Sequence, residues 1–243
     1  MRKIFIILML SVFSIVTAHP FKSEKELYDY YAEIDKKIFA EKNKPIIRKK
    51  YPRKLTDKEL EQEQIPFSLK RYTVDEIVGN NKLVYNAFNY QLMSISQINE
   101  NNKEEGVIRT FDEDENLISI AYIENSKGVM GIYREYYPWG VLKNETPYYT
   151  SEINGKLKNY YPDGLLKEEY TYYNNKKEGL ATMYYESGQK FAIENYKNDL
   201  KNGDYYMYYE NGNLGMKAFF VNGKREGTIE FYEEDGKKIE KNK

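Results

Sequence analysis

The 243-residue sequence predicts a mainly β fold: an elongated single-layer antiparallel meander of tandem β-hairpin repeats, preceded by a short N-terminal helical segment. Three observations predict it. Glycines recur at Gly140, Gly164, Gly188, Gly212 and Gly236, and again at Gly131, Gly155, Gly179, Gly203 and Gly227, each series stepping by 24 residues without a gap. Each unit sets two β-rich stretches about a tight turn such as Tyr161-Pro162-Asp163-Gly164 or Glu210-Asn211-Gly212-Asn213, which is the pattern of a hairpin. Composition is the third: 41% apolar and 31% charged residues, with 26 tyrosines, suit a thin sheet better than a round core, because a tyrosine ring packs while its hydroxyl stays wet. One hairpin cannot bury its apolar face, so the units must stack edge to edge.

In chain order, residues 1–18 read as a signal peptide. Arg2 and Lys3 precede an apolar run from Ile4 to Val16, and Val16-Thr17-Ala18 offers small residues to a signal peptidase. That run is shorter than the ~20 residues that cross a bilayer, so cleavage after Ala18 and export to the periplasm, cell surface or extracellular space are expected. Loss of Arg2 and Lys3 takes the net charge from −1 to −3, which gives no field for nucleic acid.

Residues 19–70 form a charged helical segment and linker. Ser23 and Glu26 stand at capping-box spacing, and Leu27, Tyr31, Ile34 and Ile38 share one helical face that must dock on the sheet or take a partner. Lys42 to Lys54 is basic and interrupted by Pro45 and Pro52, as a solvated tether is, with contact to phosphates or an anionic cell surface as the alternative; Thr56 and Glu59 open a second short helix. Residues 71–105, β-rich from Leu83 to Ile95, are expected to cap the sheet, and residues 106–243 to form its repeats. The unit beginning at Gly106 is irregular, with Phe111 in a tyrosine place and one extra residue between Asp112 and Asn116.

Alternation sorts the repeat side chains, since residues two apart share a face. Tyr133, Leu157, Ala181, Tyr205 and Ile229, continuing through Met183, Met207 and Phe231, predict the buried face. The opposite face, with Ile132, Lys156, Leu180, Asp204 and Thr228 and then Tyr136, Tyr160, Tyr184, Tyr208 and Tyr232, is mixed and expected to be partly wet. The tyrosines are doubled in four units, as Tyr136-Tyr137, Tyr160-Tyr161, Tyr184-Tyr185 and Tyr208-Tyr209.

The unit of glycine, Tyr-Tyr, turn glycine, a leucine such as Leu142, Leu166 or Leu214, an acid such as Glu145 or Glu169, an aromatic and then Asn-Gly-Lys resembles the bacterial variant of the MORN repeat. The resemblance covers about residues 106–243; Lys190 and Lys238 depart from the leucine, and Ile193 and Lys217 from the acid. It implies a scaffold that binds proteins or sits near membranes, with antitoxin-like or immunity partners among the relatives. It does not imply the kinase activity of kinases that carry such repeats, because this chain has neither a phosphate loop nor a catalytic Asp/Asn set.

No enzymatic chemistry, cofactor or metal is expected. The chain has no cysteine, and its one histidine, His19, abuts the expected cleavage point, so thiolate sites, imidazole triads and histidine-based zinc centres are excluded. The expected function is a non-catalytic scaffold for a protein partner or for an envelope or membrane surface. Its binding residues are expected to be Tyr136, Tyr160, Tyr184, Tyr208 and Tyr232, since tyrosine offers a large contact area with few rotatable bonds; cross-strand packing accounts for the same spacing. Polysaccharide binding is the alternative, though such repeats lean on tryptophan and only Trp139 is present.

Overall fold

The computed structural model describes residues 21–45, 73–86, 91–124 and 127–240. The expected leader, His19, the linker beyond Pro45 and the Thr56–Glu59 segment lie outside them. Helix α1 (Glu24–Lys42) begins where the sequence places it: the Ser23 hydroxyl accepts from the Glu26 amide at 3.2 Å. The Glu26 carboxylate reaches back to the Lys22 amide at 2.7 Å, one residue before the capping-box position. Leu27, Tyr31, Ile34 and Ile38 form its buried face.

Among the described residues sixteen strands follow in one open antiparallel sheet: β1 (Thr73–Val78), β2 (Asn81–Asn86), β3 (Leu92–Ile98), β4 (Glu104–Phe111), β5 (Leu117–Glu124), β6 (Gly128–Tyr136), β7 (Leu142–Tyr149), β8 (Glu152–Ile153), β9 (Gly155–Tyr160), β10 (Leu166–Tyr173), β11 (Lys176–Tyr184), β12 (Lys190–Lys197), β13 (Leu200–Lys201), β14 (Gly203–Tyr208), β15 (Leu214–Val221) and β16 (Lys224–Phe231). Each pairs with the next in sequence, except that β7 pairs with both β8 and β9, and β12 with both β13 and β14. The short β8 and β13 are the outer ends of β9 and β14, cut off by Asn154 and Asn202.

Two turn types alternate. At one end of the sheet, Gly140, Gly164, Gly188, Gly212 and Gly236 have φ between 84 and 94°, and each amide bonds the carbonyl three residues before it. A left-handed residue after a tight turn resets the strand pairing as a bulge. At the other end, Thr150-Ser151, Asn174-Asn175, Asn198-Asp199 and Asn222-Gly223 hold two successive positive φ values, which matches the right-handed strand twist and favours asparagine. These turns are tied to the preceding unit: Asn154 Oδ1 accepts from the Asn174 amide at 3.0 Å, and Glu178 Oε2 from the Asn198 amide at 2.8 Å.

Two expectations need correcting. The Asp112–Asn116 turn has the same length as the others, with Asp112 and Asn116 bonded as Tyr137 and Val141 are, and Glu115 at φ 63° in the glycine's place. The extra residue lies instead between β5 and β6, where Gly131 comes seven positions after Glu124 while Gly155 comes six after Tyr149. The second correction concerns the buried face. Helix α1 lies on the side of Arg134 and Tyr136, where Ile34 and Ile38 form a core with Val107, Ile120, Met130 and Tyr136. On the other side Ala181 is buried, but Tyr133, Leu157, Tyr205, Ile229, Met183 and Met207 are only half-buried and Phe231 is exposed. Alternation fixes which side chains share a face, whereas the cover comes from a helix outside the repeat. A second core, Leu83, Tyr85, Leu92 and Ile95, fills the sheet's N-terminal end.

Candidate interaction surface

The helix is seated by polar as well as apolar contacts. Arg134, 7% exposed in its side chain, is held bidentately by Asp35 at 2.8 Å for each Nη and by Glu145 at 3.0 Å on Nε. Burial opposes its charge, but the Asp35 hydrogen bonds and charge win and raise its pKa. Toward the helix N-terminus, the Tyr31 hydroxyl donates to the Asn154 carbonyl at 2.9 Å and the Tyr28 hydroxyl accepts from the Lys156 amide at 2.8 Å. Gly131 lets the helix come close, since a Cβ there would meet Ile34 Cγ2 at 2.6 Å.

The extent of cover follows from length. Nineteen residues at ~1.5 Å rise span about 28 Å, and the six strands from β4 to β10, omitting β8, span about 24 Å at ~4.8 Å spacing. The helix therefore crosses from Arg109, bonded to the Lys44 carbonyl, to Lys156 and stops. Beyond it the same face continues uncovered over β11 to β16.

The five predicted tyrosines share that face but not one environment. Tyr136 is 7% exposed, within the core, with the Lys42 ammonium 4.3 Å above its ring. Tyr160 is half-buried and donates to Glu145 at 2.8 Å; burial and that carboxylate push its hydroxyl pKa up. Tyr184 and Tyr208 lie half-buried beyond the helix, and Tyr232, near the sheet's last strand, donates to Glu230 at 2.6 Å. Around Tyr184 and Tyr208 the bare face exposes Leu180 (40%), Phe219 (45%) and Val221 (37%). Cross-strand rows fix this arrangement: Leu180 pairs with Asn195 and Asp204 with Phe219, while Thr182, Ile193, Tyr206, Lys217 and Glu230 form the adjacent row.

The second tyrosine of each pair has a different role. Tyr137, Tyr161, Tyr185 and Tyr209 donate their hydroxyls to the carbonyls of Tyr160, Tyr184, Tyr208 and Tyr232 at 3.0, 2.8, 2.8 and 2.9 Å. Each bond spans 23 residues, joining one hairpin to the next. The doubling of tyrosine in the sequence was the available sign of two roles. On the face opposite the helix, where Tyr170, Ala181 and Glu194 form a cross-strand row, the Lys177 ammonium lies 3.8 Å from the Tyr170 ring centre and 5.1 Å from that of Tyr196. The buried Glu194 there takes Lys201 at 2.7 Å and the Tyr196 hydroxyl.

Among the described residues no cluster of three acidic or imidazole side chains could hold a metal ion, and no helix is long and apolar enough to cross a membrane. Three consecutive segments, residues 153–175, 177–198 and 201–222, match the MORN repeat variant. No match is found among curated proteins. Among solved structures the chain is similar to TarM, at 10% identity and TM-score 0.20 over 84% of this chain and 28% of that one. It is also similar to a mutant of S. aureus TarM in complex with Fondaparinux, alpha-GlcNAc-glycerol and UDP, at 12% identity and TM-score 0.20 over 84% and 29%. The chain spans less than a third of either protein, and a likeness this slight carries no activity across. MORN repeats suggest a repeat scaffold for protein or membrane interaction. With three tandem matches lying in register with the hairpins described above, residues 153–222 carry tandem repeats of the MORN variant.

Proposed function

We propose that the chain is an exported, non-catalytic scaffold that binds a protein partner on the bare face of β11 to β16. The observation that carries this reading is the abrupt end of cover on one continuous face. Up to β10 the helix buries its apolar side chains; beyond, Leu180, Phe219 and Val221 stay exposed beside Ile193, Tyr206 and Tyr208. Aromatic and aliphatic groups bordered by Lys217 and Glu230 suit a protein interface, with an apolar centre and a polar rim. An antitoxin-like or immunity role is a special case of the same binding. The test is a photo-crosslinking residue placed at Phe219 or Leu180 in cells that make the protein, with one at Met183 on the opposite face as control. Adducts of one discrete mass from positions 180 and 219 and none from 183 are expected; equal capture from both faces, or none, would overturn the reading. Sequencing of the mature N-terminus tests export, with His19 expected first.

A second reading, polysaccharide binding, is favoured by one observation: Trp139 is 61% exposed and lies parallel to Tyr137, with ring centres 4.9 Å apart. Retention on glycan resin that is lost in Trp139→Ala, and not in Phe219→Ala, would support it over the first.

A further inference from the structure

Two successive units bury one guanidinium each beneath α1, at equivalent places. Arg109 stands three residues past Gly106 and Arg134 three past Gly131, and each is 6% exposed. Arg134 is neutralised by Asp35 and Glu145. Arg109 faces Ile95 and Ile120 across the sheet where Arg134 faces Glu145. Its one hydrogen bond among the described residues runs from Nη1 to the Lys44 carbonyl at 2.8 Å. Among the described residues no carboxylate is ion-paired with it; burial pushes its pKa down, and the charge of Glu41, itself paired with Lys44, only partly opposes this. A cation taken out of water without a counter-ion is costly, so buried charges are as a rule paired.

Beside this guanidinium, between the C-terminal end of α1 and strands β1 to β4, lies a cavity of about 280 Å³. Val78, Leu83 and Ile95 give it an apolar lining. Gln97, also on its wall, accepts from the Val107 amide through Oε1 at 2.8 Å, which leaves its Nε2 as a donor with no hydrogen bond among the described residues. Lys44 and Glu41 offset each other at the rim. The cavity thus presents one uncompensated positive charge over an apolar lining.

We infer that this cavity binds a monocarboxylate with a short apolar tail, the carboxylate on Arg109 and Gln97 and the tail against Leu83 and Ile95. A planar guanidinium with free N–H groups matches a carboxylate, and a single net charge fits a monoanion better than a phosphate dianion. The volume sits near the lower end of small-molecule sites. A free short-chain acid and the C-terminal carboxylate of a peptide present the same chemistry. The site lies at the opposite end of α1 from the bare face and does not depend on the partner proposed for it.

The test is calorimetric titration of the purified full chain with hexanoate, hexan-1-ol, inorganic phosphate, and a leucine-terminated tetrapeptide in free-acid and amidated forms. Hexanoate or the free-acid peptide is expected to bind one per chain, and hexanol and the amidated peptide not to bind; the tighter of the two carboxylates identifies the source. Arg109→Met is expected to weaken binding roughly tenfold or more, with its fold checked by circular dichroism. Should that variant unfold, Ile95→Phe, which narrows the cavity and keeps the guanidinium, is expected to remove the same binding. Failure of both carboxylates to bind, tighter binding of phosphate, or unchanged binding in the variants would overturn the assignment.

Discussion

Asp35 and Arg134, 99 residues apart, meet in a two-pronged ion pair at 2.8 Å that joins the helix to the sheet. Arg134 is nearly buried and Glu145 holds its remaining side. Removing the cation alone strands two carboxylates in a poorly solvated place, so Arg134→Met is expected to cost about 3–5 kcal/mol. Asp35→Asn is expected to cost less, because Glu145 still balances the guanidinium. Urea denaturation of the two variants checks the order; equal, small losses would mean that water reaches the pair freely.

The tyrosine hydroxyl ladder predicts a difference within each Tyr-Tyr pair. Tyr161→Phe and Tyr185→Phe each remove a bond to the next unit's main chain and should each cost about 1 kcal/mol. Tyr184→Phe and Tyr208→Phe, whose hydroxyls make no such link, should change stability by less than about 0.5 kcal/mol. Thermal melts of the four single variants decide it.

Thr150 is a β-branched residue at φ 51°, in the place that Asn174, Asn198 and Asn222 hold in the later units. A branched Cβ is strained in the left-handed region, where asparagine is tolerated. Thr150→Asn is therefore expected to stabilise the protein by about 0.5–1 kcal/mol. A higher denaturation midpoint at unchanged slope is the supporting result.

Alkali should release the helix. Burial raises the Tyr28 and Tyr30 hydroxyls to about 12, and Tyr31 higher. A folded-state value above the unfolded ~10 means that the neutral form is favoured by folding. This contribution is full below pH ~10 and lost as pH rises through 12. Absorbance at the phenolate band should show a late-titrating group of tyrosines, with loss of helical dichroism in the same interval; titration of every tyrosine near pH ~10 with the helix intact would contradict it.

Much of this architecture was legible because its causes are local. Gly164, Gly188 and Gly212 take one conformation, as a fixed step between turns requires. The spacing of Leu27, Tyr31, Ile34 and Ile38 gave the docking face of α1 before any partner was known. The side of the sheet that receives the helix was not legible, since it rests on pairs such as Asp35 with Arg134 and Ile34 with Gly131, which no periodicity encodes. The candidate site was legible only as a position in the repeat. Tyr136 and Tyr208 are equivalent in the sequence, yet one is sealed beneath Lys42 and the other lies past the helix.

The finite reach of α1 also divides the molecule by its tolerance to change. A whole hairpin gained or lost among β11 to β16 would alter only the size of the platform, because each unit there leans on its immediate neighbours. The same edit between β4 and β10 would pull Asp35 away from Arg134 or Tyr28 away from Lys156. Length can thus drift freely at one end of this protein, while the other is held to a fixed gauge.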